Sequence, residues 1–158
     1  MYPVFFELPS WVPFLGSQPI TSFGVFMLLA FLAAGYVLRS ELRRVGEDPE
    51  KAWDFVFMAV VGGILGAKAY YLLLNWPRLV ENPGAMLMSR GGLVWYGGFL
   101  LAAALVIWEI RRQKMSVPSI ADLMAPALAL AYGVGRIGCF MVGDDWGLPT
   151  ASRFGVRV

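Results

Sequence analysis

The chain has 158 residues, 58% of them hydrophobic and 15% charged, with 13 Lys+Arg against 11 Asp+Glu. That apolar share exceeds the roughly 45–50% of an ordinary soluble domain, and a net charge of +2 lacks the positive field of a nucleic-acid binder. One cysteine, Cys139, and no histidine exclude an intrachain disulfide, a Cys/His metal centre and imidazole acid–base chemistry.

The opening segment, MYPVFFELPSWVPFLGSQPI, holds four prolines and no basic residue, so it does not read as a cleavable signal peptide. Trp11 and its aromatic neighbours suit the water–lipid interface. An uncharged run from Thr21 to Leu38 follows, and about 18 such residues is the length at which a membrane-crossing helix becomes the default. The run from Phe55 to Leu74 is broken only by Lys68, and Asp48-Pro49-Glu50 ahead of it reads as a capped helix start. Gly92 to Trp108 carries no charge, while Ile120 to Val142 carries Asp122 near its start and Arg136 deep inside. These runs predict an all-α integral membrane protein, a single domain over residues 1–158, with four transmembrane helices at approximately 21–38, 55–74, 92–108 and 120–142.

Charge orients the spans. The first connector carries Arg39, Arg43, Arg44 and Lys51, and the third carries Arg111, Arg112 and Lys114, whereas the second has only Arg78 and Arg90. Seven basic residues against two place the first and third connectors in the cytoplasm and the N-terminus outside. Gly62 and Gly66 form a GxxxG pair, and Ala127, Ala131 and Gly135 a second ridge of small residues, both suited to close helix packing. Gly133 to Gly138 also matches GxGxxG, but it ends an apolar run instead of following a strand, so a dinucleotide site is not expected.

Charges inside apolar runs carry more information, because an ionised side chain in hydrocarbon is costly unless paired or facing a polar cavity. Lys68 lies six residues from the outer end of its run, about 9 Å along a helix. It either snorkels to the interface or lines a cavity. Arg136 sits between Gly135 and Gly138, with Asp144 and Asp145 following. The glycines predict a turn with free N–H donors beside a permanent cation, a receptor for phosphate at the membrane surface. The alternative is an internal ion pair of Arg136 with an aspartate. Asp122, three residues after Ser119, reads as a helix-start residue.

The stretch Gly135-Arg136-Ile137-Gly138-Cys139-Phe140-Met141-Val142-Gly143-Asp144-Asp145-Trp146-Gly147 resembles the signature of bacterial prolipoprotein diacylglyceryl transferases, usually G-R-I-G-N-F-x-N-G-E-x-x-G. Upstream, Ser119 to Pro126 is similar to the segment that leads into that helix. Gly91 to Gly98 resembles the family's histidine-glycine-glycine region, Gly66 to Tyr71 its G-A-R-x-x-Y region, and Ser22-Phe23-Gly24 its W-Y-G entry to the first span.

The resemblance implies a multi-pass enzyme of the bacterial inner membrane. It would move the diacylglyceryl group of phosphatidylglycerol to the lipobox cysteine thiol of a prolipoprotein, in the first step of lipoprotein maturation. Membrane lipid, phosphatidylglycerol and the prolipoprotein signal peptide are the implied partners, with no cofactor, metal or nucleic acid. It implies catalytic roles for Arg136, Tyr96, Asp144 and Asp145, and phosphatidylglycerol contacts from Arg136, Gly138, Gly143, Gly147, Gly97, Gly98 and Lys68. Arg136 takes the signature arginine position and would hold the phosphodiester. Where the family has histidine, asparagine, glutamate, tyrosine and arginine, this chain has Tyr96, Cys139, Asp144, Phe23 and Lys68. Tyr96, a phenol titrating near 10 when unperturbed, is then cast as a hydrogen-bond donor and Asp144 or Asp145 as proton acceptor. Cys139 reads as a small buried hydrophobe rather than a nucleophile. The family's second arginine and its later spans have no counterpart here, so the chain is expected to be the N-terminal part of a roughly seven-span fold. Two other readings remain: an inactive homologue that binds phospholipid or lipoprotein precursor, and a small transporter subunit with Lys68 and Arg136 on an anion path.

Overall fold

The structure, a computed structural model, describes residues 4–7, 19–88 and 92–143. In chain order these form an antiparallel strand pair, β1 (Val4–Glu7) and β2 (Pro19–Thr21), then helices α1 (Ser22–Arg44), α2 (Lys51–Leu74), α3 (Trp76–Glu81), α4 (Pro83–Met88), α5 (Trp95–Arg112) and α6 (Val117–Val142). The helices bear out the all-α class, and the short strand pair ahead of α1 is an addition to it. Val4 pairs with Thr21, Phe6 with Ile20 and Glu7 with Pro19, with an irregularity between Val4 and Phe6. Prolines remove helix donors, and the apolar VFFE segment is of a composition that favours extended chain.

Among the described residues, three helices, α1, α2 and α6, are long and apolar enough to cross a membrane. The third expected span is the exception by this measure: α5 has 18 residues, and its last four include Glu109, Arg111 and Arg112. Its apolar part is therefore Trp95–Trp108, and only part of the four-span expectation carries over. Leu28, Leu32, Ile64, Leu65, Leu73 and Leu128 are exposed, while small residues fill helix contacts. That arrangement is expected where lipid, as apolar as leucine, surrounds the helices.

The helices overrun their apolar runs because the flanking charges are good helix formers and pair along the helix. Within α1, Arg44 donates to Glu41 at 2.6 Å, and Lys51 at the start of α2 reaches back to Glu47 in the connector at 2.9 Å. Termination is local: Gly46 takes φ +79° and the Glu47 N–H reaches the Leu42 carbonyl at 3.0 Å, a Schellman end. The capped start expected ahead of α2 is met in part: the N-cap residue Glu50 makes no side-chain hydrogen bond to the helix, and the Asp48 carboxylate accepts the Glu50 N–H at 3.0 Å just before it. Asp122 lies exposed in the second turn of α6, not at its start; the helix begins at Val117-Pro118, where proline is tolerated.

The chain divides into two compact units. One comprises residues 1–37 and 126–158, the other residues 38–125. The first unit buries Ser22, Ala30 and Ala127. The second buries Leu38 and Leu42 from α1, Ala52, Phe55 and Ala67 from α2, Ile110 from α5 and Ile120 from α6.

Candidate functional site

In the second unit, α2 and α5 run antiparallel and approach through glycine. A Cβ on Gly62 would stand 2.6 Å from the Ala102 Cα, and one on Gly98 would stand 2.7 Å from the Gly63 carbonyl oxygen. Gly66 and Gly97 lie against each other's backbone, and Gly97 also meets the Tyr70 Cβ. Cβ contacts this short are incompatible with any side chain, so the GxxxG pair of α2 serves packing, as its spacing predicts. The glycine faces of Gly97 and Gly98 are covered by α2. What a ligand could meet there is the first turn of α5, where the N–H groups of Trp95, Tyr96 and Gly97 precede the first helical bond, from the Gly98 N–H to the Val94 carbonyl at 3.3 Å.

Lys68 is half-buried near the end of α2, next to Ala67, whose carbonyl accepts the Val94 N–H at 3.2 Å. Its ammonium lies 5.5 Å from the Tyr71 ring centroid, a cation–π distance. Tyr96 stands at the second position of α5 and is 67% exposed. Its own ring meets Trp95 edge-on at 5.1 Å. One unit thus gathers Lys68, Tyr96, Gly97 and Gly98: a cation and the positive pole of a helix, a combination suited to an anion.

The opposite end of the α2–α5 pair is tied by polar groups. Glu109 is buried and accepts from the Arg112 Nε and NH2 and the Gln113 Nε2, each at 2.8 Å, and Gln113 also reaches the Asp54 carboxylate at 3.2 Å. The Arg112 hydrogen bonds, then that of Gln113, hold the Glu109 carboxyl below its ordinary range against the opposing effect of burial.

In the first unit, Arg136 is exposed on α6, with its guanidinium carbon 5.9 Å from the Tyr132 ring centroid. The expected glycine-rich turn around Arg136 is not a turn: α6 continues through Gly133, Gly135 and Gly138 to Val142. Glycine costs about 1 kcal/mol in a helix, whereas an unmade backbone bond in apolar surroundings costs several, so the helix wins. The turn begins one residue later. Gly143 takes φ +78° and its N–H reaches the Cys139 carbonyl at 2.9 Å. Gly138 is buried, and a Cβ there would stand 2.8 Å from the Phe26 Cβ. Gly133 and Gly135 have nothing within 4 Å of such a Cβ. Of the small-residue ridge, Ala127 is buried, whereas Gly135 faces open space. The thiol of Cys139 is free and half-buried. Asp144, Asp145 and Gly147 lie outside the described residues.

Residues 9–158 match the family model for prolipoprotein diacylglyceryl transferase. The chain belongs to that family. Among relatives, a phosphatidylglycerol–prolipoprotein diacylglyceryl transferase of Clostridium tetani is 32% identical over 156 residues, covering 99% of this chain and 60% of the relative. A second, from Clostridium perfringens, is 31% identical over 87% of this chain and 54% of the relative, and one from Leptospira interrogans is 29% identical over 78% and 46%. The chain thus spans about half to three-fifths of the length of these relatives. Family membership together with three membrane-capable helices makes this a multi-pass membrane protein of a transferase family.

Sequence reasoning about this transferase-family chain passed over Tyr71, Gly92 and Tyr132 as individual residues. Tyr71 and Tyr132 are the rings beneath Lys68 and Arg136. Their spacing carries a signal that is visible in retrospect: each ring is three or four positions from its cation, one helical turn.

Proposed function

We propose that the protein containing this chain transfers the diacylglyceryl group of phosphatidylglycerol to the lipobox cysteine thiol of prolipoproteins. The observation that carries this reading is the family match over residues 9–158. In the reaction the thiolate sulfur forms a bond to the glyceryl carbon as the carbon–oxygen bond to phosphate breaks. Glycerol phosphate leaves with the electron pair, and the thiol proton passes to a base. The leaving phosphate gains charge, so a fixed cation that follows that charge lowers the barrier.

Arg136 serves as that cation: its charge persists at any working pH, and its fork matches phosphate oxygens. Lys68 and the N–H groups at the start of α5 attract the headgroup, and Tyr96 donates a hydrogen bond to it. Asp144 or Asp145 accepts the thiol proton. Gly143 and Gly147 keep side chains away from the lipid's approach, while Gly138, packed on Phe26, and Gly97 and Gly98, packed on α2, let the backbones that carry Arg136 and the start of α5 sit close to their neighbours. The apolar part of α5 completes four crossings of the bacterial inner membrane, within one membrane domain whose N-terminus lies outside.

Replacement of the family's histidine by Tyr96 favours a second reading, a homologue that binds phospholipid or precursor without transferring lipid. One experiment separates the two: complementation of a strain depleted of its own transferase, with Arg136→Ala beside the wild type. The transferase reading requires rescue by the wild type and at least about 100-fold less transfer with Arg136→Ala, the usual scale for losing one transition-state charge partner. Rescue by Arg136→Ala at the wild-type level removes the phosphate-holding role. Phosphatidylglycerol binding without any transfer establishes the second reading.

A further inference from the structure

Tyr71 ties two parts of the second unit together. Lys68 precedes it by one helical turn on α2, and the Lys68 ammonium lies 5.5 Å from its ring centroid. The same ring seats Gly92, where a Cβ would fall among Cζ, Cε1 and Cε2 of Tyr71. Gly92 also has φ +75°, a conformation free to glycine and strained for other residues. Two residues on, the Val94 N–H reaches the Ala67 carbonyl at 3.2 Å, and the Val94 carbonyl accepts the Gly98 N–H at 3.3 Å. Residues 92–94 are therefore fastened to α2 at two points, one aromatic and one polar, and α5 starts directly afterwards.

A tyrosine ring in this place has two effects. Its face attracts an ammonium, which narrows the positions open to a flexible lysine side chain. Its flat, rigid body also sets how closely the Gly92 backbone approaches α2, and hence where the first turn of α5 begins. Neither effect uses the hydroxyl group, because both contacts are made by the ring.

We propose that Tyr71 is a positioning residue, whose ring holds Lys68 and Gly92 together and so sets the Lys68 ammonium against the start of α5, where an anionic headgroup is received. The functional consequence rests on the transferase reading; the contact does not. Amine footprinting of the full protein tests the contact, with Lys51 and Lys114 as internal references. Tyr71→Phe should label at Lys68 as the wild type does. Tyr71→Leu and Gly92→Ala, which break the contact from its two sides, should each raise Lys68 labelling about threefold or more. In the transfer assay, Tyr71→Leu should raise KM for phosphatidylglycerol about tenfold and leave kcat within about twofold, with Tyr71→Phe near wild type. In a Lys68→Gln background, Tyr71→Leu should add no further rise in KM.

Unchanged Lys68 labelling in both Tyr71→Leu and Gly92→Ala overturns the proposal. So does a Tyr71→Phe defect equal to that of Tyr71→Leu, or a full KM effect in the Lys68→Gln background. If the wild-type protein transfers no lipid, the transferase reading fails, and the labelling still decides the contact. Should Tyr71→Leu not fold, Gly92→Ala probes the same ring and Tyr71→Phe still decides whether the ring suffices.

Discussion

Glycine does different work in the two units. On the α2–α5 face, Gly62, Gly66, Gly97 and Gly98 each lie where a Cβ would strike the neighbouring helix. On α6, Gly133 and Gly135 stand in open space, and Gly138 meets Phe26 of α1. The two regions carry similar glycine-rich sequence. Close spacing of glycines therefore marks a possible approach of backbones, and only the partner helix decides whether the approach is used. The α2–α5 pair is a rigid support for Lys68 and Tyr96. The Arg136 segment is a plain helix with an exposed cation.

Substitutions at these glycines measure the contrast directly. The largest effect is expected at Gly66: leucine there would meet the Gly97 carbonyl and the Leu101 Cβ, which stands 2.6 Å from a Cβ at 66. Overpacking against backbone should cost about 3 kcal/mol or more, read as a large drop in thermal midpoint in detergent. A loss under about 1 kcal/mol would mean that α2 and α5 separate easily, and would erase the contrast.

The next effect sharpens the picture of α2–α5 as a pair tied at both ends. Because Arg112 and Gln113 hold the Glu109 carboxyl below its ordinary range, the group binds protons more readily unfolded than folded. Its stabilisation is present in full above the ordinary glutamate range and is lost as pH falls through the lowered folded value. The wild type should therefore lose thermal midpoint on acidification, and Glu109→Gln should show a flatter pH profile with a lower midpoint at neutral pH. Parallel profiles for the two proteins would assign the acid sensitivity to other carboxylates.

The smallest effect is expected at Gly135. With nothing within 4 Å of a Cβ there, Gly135→Ala should be neutral or stabilise by up to about 1 kcal/mol through helix propensity. A marked loss of midpoint would show that the open face is covered in the folded protein, making α6 resemble the α2–α5 face after all.

Much of this molecule was legible in its residues. Long apolar runs must become helices where water is absent, because only a helix satisfies every backbone donor and acceptor within its own segment. The runs ending at Leu38, Leu74 and Val142 accordingly lie in α1, α2 and α6. The GxxxG pair at Gly62 and Gly66 pointed to a helix contact through local spacing alone, and family membership was readable in the residues from Gly135 to Gly147. The turn imagined at Gly135–Gly138 failed because the cost of glycine in a helix is smaller than that of an open backbone bond in apolar surroundings. The third span fell short of the others because charge enters α5 at Glu109, three residues before its end.

What composition and pattern determined by themselves is which segments leave water and where the few embedded cations fall, since both follow from the transfer free energy of side chains one at a time. What only the tertiary structure decided is which glycines meet a partner and which ring lies beneath Lys68 and Gly92. Tyr71 and Gly92 are far apart in sequence, and their contact exists only because α2 and α5 pack closely enough to bring the start of α5 back onto the end of α2. That closeness belongs to the pair of helices, not to either alone.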